Sequence, residues 1–238
     1  MSLYTIKPLR LGTIKRPLKG TVYGIDTDEE PYFPIISYYL ESPTHKIVVD
    51  TGGIVPDGIH WEPYTRNEDQ EPGNALKKLG VSADDIDMVI FTHLHWDHAC
   101  SNDAFKNARF IVQKKEYDFV ADPETSNKGY EAELVLRTTY ETVDGDVEIV
   151  PGISVVLTPG HSVGSQCILI DTADGTYMIT GDTVPLYRNW ESSPRVPTGI
   201  FSDLDTILRS YEKLGKLQIG GKILPGHEMK VFDREVYP

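Results

Sequence analysis

The sequence predicts an α/β (α+β) domain in which layers of β-sheet are covered by helices. Short runs rich in β-branched residues alternate with stretches whose apolar residues recur at helical spacing. Several of these runs stand in hairpin-like pairs, which argues against a purely parallel sheet. The predicted strands are residues 46–50, 88–92, 110–112, 153–157, 167–170 and 177–179, the predicted helices are 73–79, 114–120 and 203–217, and the predicted loops include 55–73 and 185–199.

Each predicted element has a local signal. The strand at 46–50 has the sequence KIVVD and leads into a DTGG turn, and the strand at 88–92 has the sequence MVIFT and leads into a histidine. The later strands are β-branched or aromatic runs that lie between turn signals. The helix at 203–217 carries apolar residues at helical spacing, namely Leu204, Ile207, Leu208, Tyr211 and Leu214.

Composition and charge exclude several classes of protein. Of the 238 residues, 39% are hydrophobic and 25% are charged, which is typical of a folded globular protein rather than a disordered one. The net charge of −13 would repel a phosphate backbone, so nucleic acid is not an expected partner. Because no linker or repeat divides the chain, we expect one domain over residues 1–238.

Nothing in the sequence is expected to enter a membrane. No apolar run approaches the roughly 20 residues that span a bilayer, and the N-terminal residues MSLYTIKPLRLG lack the apolar stretch of a signal peptide. The two cysteines, Cys100 and Cys167, do not have the spacing of a disulfide framework. We therefore expect a cytoplasmic protein in which both cysteines are small buried side chains.

Five of the seven histidines fall in three short blocks. The first block, HLHWDH at 93–98, directly follows the predicted strand MVIFT, and the other two place His161 and His227 after Pro-Gly. A single histidine after Pro-Gly is more often a turn residue than a ligand. Four residues able to bind a metal within six positions have no rationale in packing, because burying them unpaired is costly. The first block therefore predicts a metal site.

The candidate ligands are too many for one ion. Imidazole and carboxylate together suit Zn²⁺, which we expect first, and also Mn²⁺, Fe²⁺ and Co²⁺. One Zn²⁺ takes about four ligands, and Asp182, which follows the predicted strand YMIT, brings the set to seven. Two divalent metal ions are thus predicted, with ligands drawn from His93, His95, Asp97, His98, His161, Asp182 and His227.

The order and spacing of these motifs resemble the metallo-β-lactamase superfamily, and Asp50-Thr51-Gly52 is similar to the DTG turn of that family. The resemblance implies a four-layer αββα sandwich with the metals at one edge of the two sheets. It implies that one metal binds His93, His95 and His161. The second metal would bind Asp97, His98 and His227, and Asp182 would bridge the two ions together with a hydroxide.

Within the superfamily, the N-terminal layout is similar to that of the N-acyl homoserine lactonase group. The implied activity is opening of a small ester or lactone, with Asp97 and Asp182 orienting the hydroxide and one of these carboxylates relaying a proton. The implied partner is a small-molecule substrate, and relatives suggest a homodimer. Those lactonases carry a tyrosine three residues after the bridging aspartate, where this chain has Pro185. Tyr187 is the candidate to replace it.

The sequence also leaves alternatives open. A thioester hydrolase of the glyoxalase II type, an iron-dependent oxidoreductase and a metal-binding protein without turnover all remain compatible with the ligand set. An apolar part of the substrate is suggested by aromatic residues in the loops expected near the site, although core or dimer contacts explain Trp61 and Tyr64 equally well. These aromatic residues are Trp61, Tyr64, Trp96, Tyr187, Trp190 and Phe201.

Overall fold

Two β-sheets face each other in the computed structural model, which describes residues 3–54, 63–124, 129–217 and 219–238. Within these residues the strands are β1 Thr5–Lys15, β2 Tyr32–Glu41, β3 Lys46–Val49, β4 Tyr64–Thr65, β5 Met88–Ile90, β6 Arg109–Gln113, β7 Tyr140–Val143, β8 Val147–Val150, β9 Ile153–Leu157, β10 Gln166–Thr172, β11 Gly175–Gly181 and β12 Ile223–Pro225. The α-helices are α1 Leu18–Thr21, α2 Pro72–Lys77, α3 Trp96–Ala99, α4 Lys114–Ala121, α5 Ala132–Val135, α6 Tyr187–Glu191 and α7 Leu204–Gly215. Short 3-10 turns lie at Glu68–Gln70, Ala83–Asp85, Asn102–Ala104 and Met229–Asp233.

Both sheets are mixed. The first has the order β4-β1-β2-β3-β5-β6-β7, with β1, β2 and β3 antiparallel and β3, β5, β6 and β7 parallel. The second has the order β12-β11-β10-β9-β8, antiparallel except for the β11–β12 pair. The prediction against a purely parallel sheet is confirmed.

Alternation along the strands divides the buried side chains into three apolar layers. In β3, Ile47 and Val49 face the second sheet, whereas Val48 between them faces the helices on the outside of the first sheet. In β10, Ile168 lies between the sheets and Cys167 faces the outer side. Because successive side chains of a strand point to opposite faces, each sheet is covered on both sides. The layers form the expected αββα sandwich.

Helix α7 covers the outer face of the second sheet. Its buried residues Ile207, Tyr211 and Leu214 pack against Cys167 and Met178 of the sheet. The helix begins where predicted, because the Asp203 side chain accepts a hydrogen bond from the Thr206 amide at 2.7 Å and so caps its first turn. The opposite side of α7 faces solvent.

The strands that precede the predicted ligands all end at the same edge of the sandwich. Parallel strands β3 and β5 lead into Asp50 and His93, and parallel strands β11 and β12 lead into Asp182 and His227. Strand β9, which leads towards His161, runs in the same direction as β11 because both are antiparallel to β10. Residues far apart in the sequence therefore meet at this edge.

The elements not predicted include the long strands β1 and β2, of which β2 is almost entirely buried, and several short or exposed elements. Strands β7 and β8 contain no fully buried residue, so they show no apolar alternation. In the predicted loop 55–73, residues 55–62 lie outside the described residues, and Tyr64–Thr65 pairs with β1 as a two-residue edge strand. In the predicted loop 185–199, one helical turn forms at α6. No helix in the described ranges is long and apolar enough to cross a membrane.

We expect Ile168→Ala to destabilise the fold. The Ile168 side chain is fully buried between the sheets, and truncating such a residue costs about 2–5 kcal/mol in the free energy of unfolding. Urea denaturation measures this change in the free energy of unfolding. Leu208→Ala is the control, because Leu208 is on the exposed side of α7 with 41% of its surface accessible and surface changes stay within about 0.5 kcal/mol. Equal losses in the two variants would contradict this layering.

Candidate dinuclear metal site

The seven predicted ligands come together as two groups of side chains. One group contains His93, His95 and His161, and the other contains Asp97, His98, Asp182 and His227. Within each group, one nitrogen or oxygen atom per residue lies within 4.8 Å of the others. All seven are buried except His95, which is half-buried. The arrangement has the composition and spacing of a candidate dinuclear metal site.

In the first group, three imidazole nitrogens converge. His161 Nε2 lies 3.2 Å from His93 Nε2 and 3.0 Å from His95 Nδ1. Burial, followed by the charge of His98, lowers the pKa of His93 well below its usual value. Burial and the neighbouring His161 lower the pKa of His95 to about 3. These rings are therefore neutral at pH 7, and their lone pairs are available to a cation.

In the second group, Asp182 holds the central position. Its Oδ1 lies 3.0 Å from His227 Nε2 and 3.4 Å from His98 Nε2. Its Oδ2 lies 3.5 Å from His161 Nε2 in the first group. Burial raises the pKa of Asp182, but the charges of His227 and His98 outweigh burial and place the pKa well below its usual value. Asp182 is thus an ionised carboxylate that faces both groups.

Buried atoms without a hydrogen-bond partner test whether these residues fit a metal. Among the residues described, His98 Nε2, His227 Nε2 and Asp182 Oδ1 are buried and have no hydrogen-bond partner. A buried polar atom left without a partner costs about 1–3 kcal/mol, and buried polar groups are normally satisfied. One cation among these three atoms would satisfy all of them. The residues present therefore fit a bound divalent ion.

Hydrogen bonds fix the orientation of three of the histidine rings. His98 Nδ1 lies 2.8 Å from Asp50 Oδ2, His161 Nδ1 lies 2.8 Å from the Ile200 carbonyl, and His227 Nδ1 lies 2.8 Å from the Pro34 carbonyl. A ring that donates from Nδ1 to an oxygen directs its Nε2 atom to the opposite side. All three Nε2 atoms consequently face the candidate metal positions.

Asp50, recognised in the sequence only as part of a turn, supports two parts of the site. It has a positive φ of 59°, and its carboxylate accepts hydrogen bonds of 2.7 Å from both the amide and the hydroxyl of Thr92. The same carboxylate binds His98, so it ties the end of β5 to the second group. The DTG sequence was the signal for this role.

Two glycines permit the close approach of the strand ends. A Cβ on Gly181, which has a φ of +49°, would lie 2.6 Å from the Thr92 side chain. A Cβ on Gly226 would lie 2.7 Å from the Gly181 backbone and 2.8 Å from Asp182 Oδ1. Contacts this short exclude any side chain. The glycines that precede Asp182 and His227 in the sequence motifs therefore have a steric reason.

Arg16 is a residue of the site that sequence reasoning missed. Its Nη2 donates to Asp97 Oδ2 at 3.2 Å, and the two side chains are 6% and 3% exposed. Burial raises the pKa of Asp97, while His98 and Arg16 lower it, and the net shift is downward. An arginine just after the first strand carries no local motif, so only the fold reveals this pairing.

Tyr187 is not brought into the cluster. The Tyr187 ring packs against the apolar layer between the sheets and the layer under α7, and burial, followed by the charges of Tyr237 and Glu228, raises the pKa of the phenol. No described hydrogen bond joins its side chain to any of the seven candidate ligands. Pro185 does lie beside the site, because its carbonyl accepts from the His227 amide at 2.9 Å.

The other aromatic residues separate into core and rim. Tyr64 and Trp96 pack edge to face with ring centroids 5.4 Å apart, and Trp190 packs against Tyr211 under α7. Phe201 packs edge to face on Tyr23 with ring centroids 5.5 Å apart, next to the exposed Ile200. Because the Ile200 carbonyl holds His161, this last pair lies at the rim of the site. Trp61 falls outside the described residues.

Comparison with known proteins agrees with this geometry. The family model of the metallo-beta-lactamase superfamily matches residues 32–227. An N-acyl homoserine lactonase from Bacillus thuringiensis is 32% identical over 212 residues, which cover 83% of this chain and 82% of that protein. The N-acyl homoserine lactonase AttM of Azorhizobium caulinodans is 28% identical over 244 residues, covering 92% and 91%.

Solved structures give the same result. An N-acyl homoserine lactone hydrolase with the product N-hexanoyl-L-homoserine bound at its catalytic metal center superposes with a TM-score of 0.85 at 27% identity, covering 98% of this chain and 96% of that one. A variant of B. thuringiensis AiiA with N-decanoyl-L-homoserine bound at the active site has the same TM-score and coverage at 28% identity. With its αββα layers, its buried ligand set and these likenesses, the chain belongs to the metallo-β-lactamase superfamily.

Proposed function

We propose that this protein is a metal-dependent lactonase that hydrolyses N-acyl homoserine lactones or closely related small cyclic esters. The observation that carries the proposal is the buried carboxylate of Asp182, whose two oxygens face two separate groups of ligands. Support comes from relatives 32% identical that are N-acyl homoserine lactonases, and from superposed structures that hold lactone hydrolysis products.

The proposed ligand assignment follows the two groups. His93, His95 and His161 would hold one divalent ion, and Asp97, His98 and His227 would hold the other, with Asp182 available to both. We propose zinc as the metal, because imidazole-rich sites with carboxylates suit it, although manganese, iron and cobalt share this preference. Two bound ions supply an activated water and polarise the carbonyl oxygen of the lactone.

The residues of the chain then orient the reacting groups and transfer protons. Asp97 is ionised at neutral pH, and Arg16 fixes the direction of one of its oxygens. We propose that Asp97 takes up the proton lost by the attacking water and returns it to the alcohol oxygen that leaves as the ring opens. The Asp182 carboxylate is positioned by its contacts with His161, His98 and His227. The reaction needs no serine or cysteine nucleophile.

The rim of the site supports a substrate with an apolar part. Ile200 and Tyr23 are 40% and 43% exposed, and Tyr23 packs edge to face on Phe201. This rim adjoins His161, because the Ile200 carbonyl accepts its Nδ1 hydrogen. An acyl chain attached to a lactone ring would cover these apolar surfaces. Removing apolar surface from water in this way is favourable.

Several broader expectations stay predictions. We propose that residues 1–238 act as one domain and that the protein resides in the cytoplasm. A homodimer is the assembly to test first, by light scattering after size-exclusion chromatography.

Lactone turnover is the first test. We expect the purified protein to contain two equivalents of metal and to open acyl homoserine lactones. The reaction is measured by pH-stat titration of the released acid. Asp97→Asn keeps the shape of the side chain but removes both a proton acceptor and an anionic candidate ligand, and should lower kcat by at least about 100-fold. The matched control is Asp205→Asn, an exposed carboxylate on α7.

The alternatives have distinct outcomes in the same panel. Turnover of glutathione thioesters without lactone opening would favour the thioester hydrolase. Two equivalents of iron without ester turnover would favour the oxidoreductase. A metal-loaded protein that is inert on every ester class would leave metal binding without hydrolysis.

Metal removal should lower the stability of the fold, with a defined pH dependence. A ligand at 1,000 times its Kd adds about 4 kcal/mol to the free energy of unfolding, so chelation should lower the Tm measured by calorimetry. In the metal-free protein, the pKa values of His93, His95 and His161 lie below the usual value of 6.5. The unfolded chain therefore binds more protons below pH 6.5, and stability from these groups is lost as pH falls.

Burial lowers the pKa of His98, but the charges of Asp97, Asp182 and Asp50 outweigh burial and raise the pKa well above its usual value. Protons and metal therefore compete for His98 in the folded protein. The Tm difference between metal-loaded and chelated protein should therefore shrink from pH 7.5 to pH 5.5. A difference that is constant across this range would argue against ligation by histidine.

Tyr187→Phe tests the candidate that replaces the missing tyrosine. Because the phenol is not joined to the ligand cluster, we expect kcat and KM for the best lactone to change less than about twofold. A loss of turnover at unchanged thermal stability would instead show that Tyr187 moves into the site when substrate binds.

A further inference from the structure

Glu116 is a buried carboxylate that the proposed reaction does not use. It lies in α4 with none of its surface exposed, and no lysine, arginine or histidine forms an ion pair with it among the residues described. A buried charge without a cation is costly unless hydrogen bonds replace its hydration. The structure supplies those hydrogen bonds from three separate segments.

Four donors satisfy the two oxygens of Glu116. Oε1 accepts from the Leu94 amide and from the Tyr130 hydroxyl, both at 3.0 Å. Oε2 accepts from the Ser162 hydroxyl at 2.7 Å and from the Gly164 amide at 2.8 Å. Four donors match the four acceptor positions that a carboxylate offers. One side chain thereby connects the 93–98 block with the loop that follows β9.

Each of these segments carries or contacts a candidate ligand of the first group. Leu94 lies between His93 and His95 in the chain, and Ser162 directly follows His161. The Tyr130 ring packs on the His95 ring with centroids 4.5 Å apart. Through its hydrogen bonds, Glu116 therefore connects the segments that carry or contact the three histidines of the first group.

Steric contacts make this connection stiff. A Cβ on Gly164 would lie 2.4 Å from the Glu116 amide nitrogen, so the loop packs directly on the backbone of α4. A Cβ on Gly129 would lie 3.2 Å from the His95 ring. With so little free space, a change in the hydrogen bonds of Glu116 is transmitted to the ring positions.

The second group of ligands is held by other partners. Asp50 fixes His98, the Pro34 carbonyl fixes His227, and Arg16 contacts Asp97. None of the described hydrogen bonds of Glu116 reaches these residues. Asp50 also accepts hydrogen bonds from Thr92, which precedes His93, so Asp50 contacts both half-sites, whereas the hydrogen bonds of Glu116 reach only the first.

We propose that Glu116 is a positioning residue for one half-site only: it sets the spacing of His93, His95 and His161, and so determines how tightly that half-site binds its ion. The inference rests on the metal binding in the proposed function, and is independent of the substrate. Glu116→Gln keeps the size of the side chain but places an amide donor against two of the four donors. One pair of hydrogen bonds is then lost.

Metal affinity in single-site proteins is the test. His227→Ala removes a ligand of the second half-site, and His161→Ala removes one of the first. Zn²⁺ affinity is measured in each background by competition with a chromophoric chelator. We expect Glu116→Gln to weaken Zn²⁺ binding by about 10- to 100-fold in the His227→Ala protein, and by less than about threefold in the His161→Ala protein.

Matched variants control for general damage to the fold. Arg16→Lys should give the opposite pattern, because the Arg16 guanidinium contacts Asp97 of the second half-site. Ser162→Ala removes only one of the four donors to Glu116 and should give a smaller loss in the same direction as Glu116→Gln. Near-ultraviolet circular dichroism of the metal-free proteins reports whether each variant keeps its packing.

Equal losses of affinity in both backgrounds, or no loss in the His227→Ala protein, would overturn the proposal. A selective loss in a protein that opens no lactone would support the positioning role while refuting the lactonase function. Failure of the parent chain to take up metal would overturn both.

Discussion

The structure depends on the electrostatic requirements of a buried cluster of imidazoles and carboxylates. Side chains of this kind are stable away from water only when each is paired, hydrogen-bonded or bound to a cation. Here the outward nitrogens of three histidines are satisfied by Asp50, Ile200 and Pro34, while atoms on the inward side of His98, His227 and Asp182 have no hydrogen-bond partner among the described residues. The two sheets and their helices place these groups at one edge.

Much of the fold could be predicted from the sequence because its strongest signals are local. The strands KIVVD and MVIFT are buried on both faces and are therefore continuously apolar, and α7 has a clear apolar side. Strands β7 and β8 escaped prediction because no residue in them is fully buried. Their place in the sheets follows from pairing with neighbours, which a single strand's sequence does not encode.

The candidate ligands were predictable for the same reason, since metal-competent residues were concentrated in short motifs after strands. Arg16 and Glu116 were not, because each acts through contacts with residues distant in the chain. Arg16 meets Asp97 across 81 positions, and Glu116 meets Gly164 across 48. The position of Tyr187 could not be read either, because a shift of two residues from Pro185 moves the side chain into the apolar layers.

The parallel pairing of β11 with β12 has a consequence for how the protein is assembled. The ligand set begins at His93 and is complete only with His227, which follows the last strand of the second sheet. A chain still being synthesised lacks that histidine until nearly all of both sheets has emerged. The second group of candidate ligands is thus complete only when β12 has paired with β11, so the last strand of the sheet also completes the candidate site.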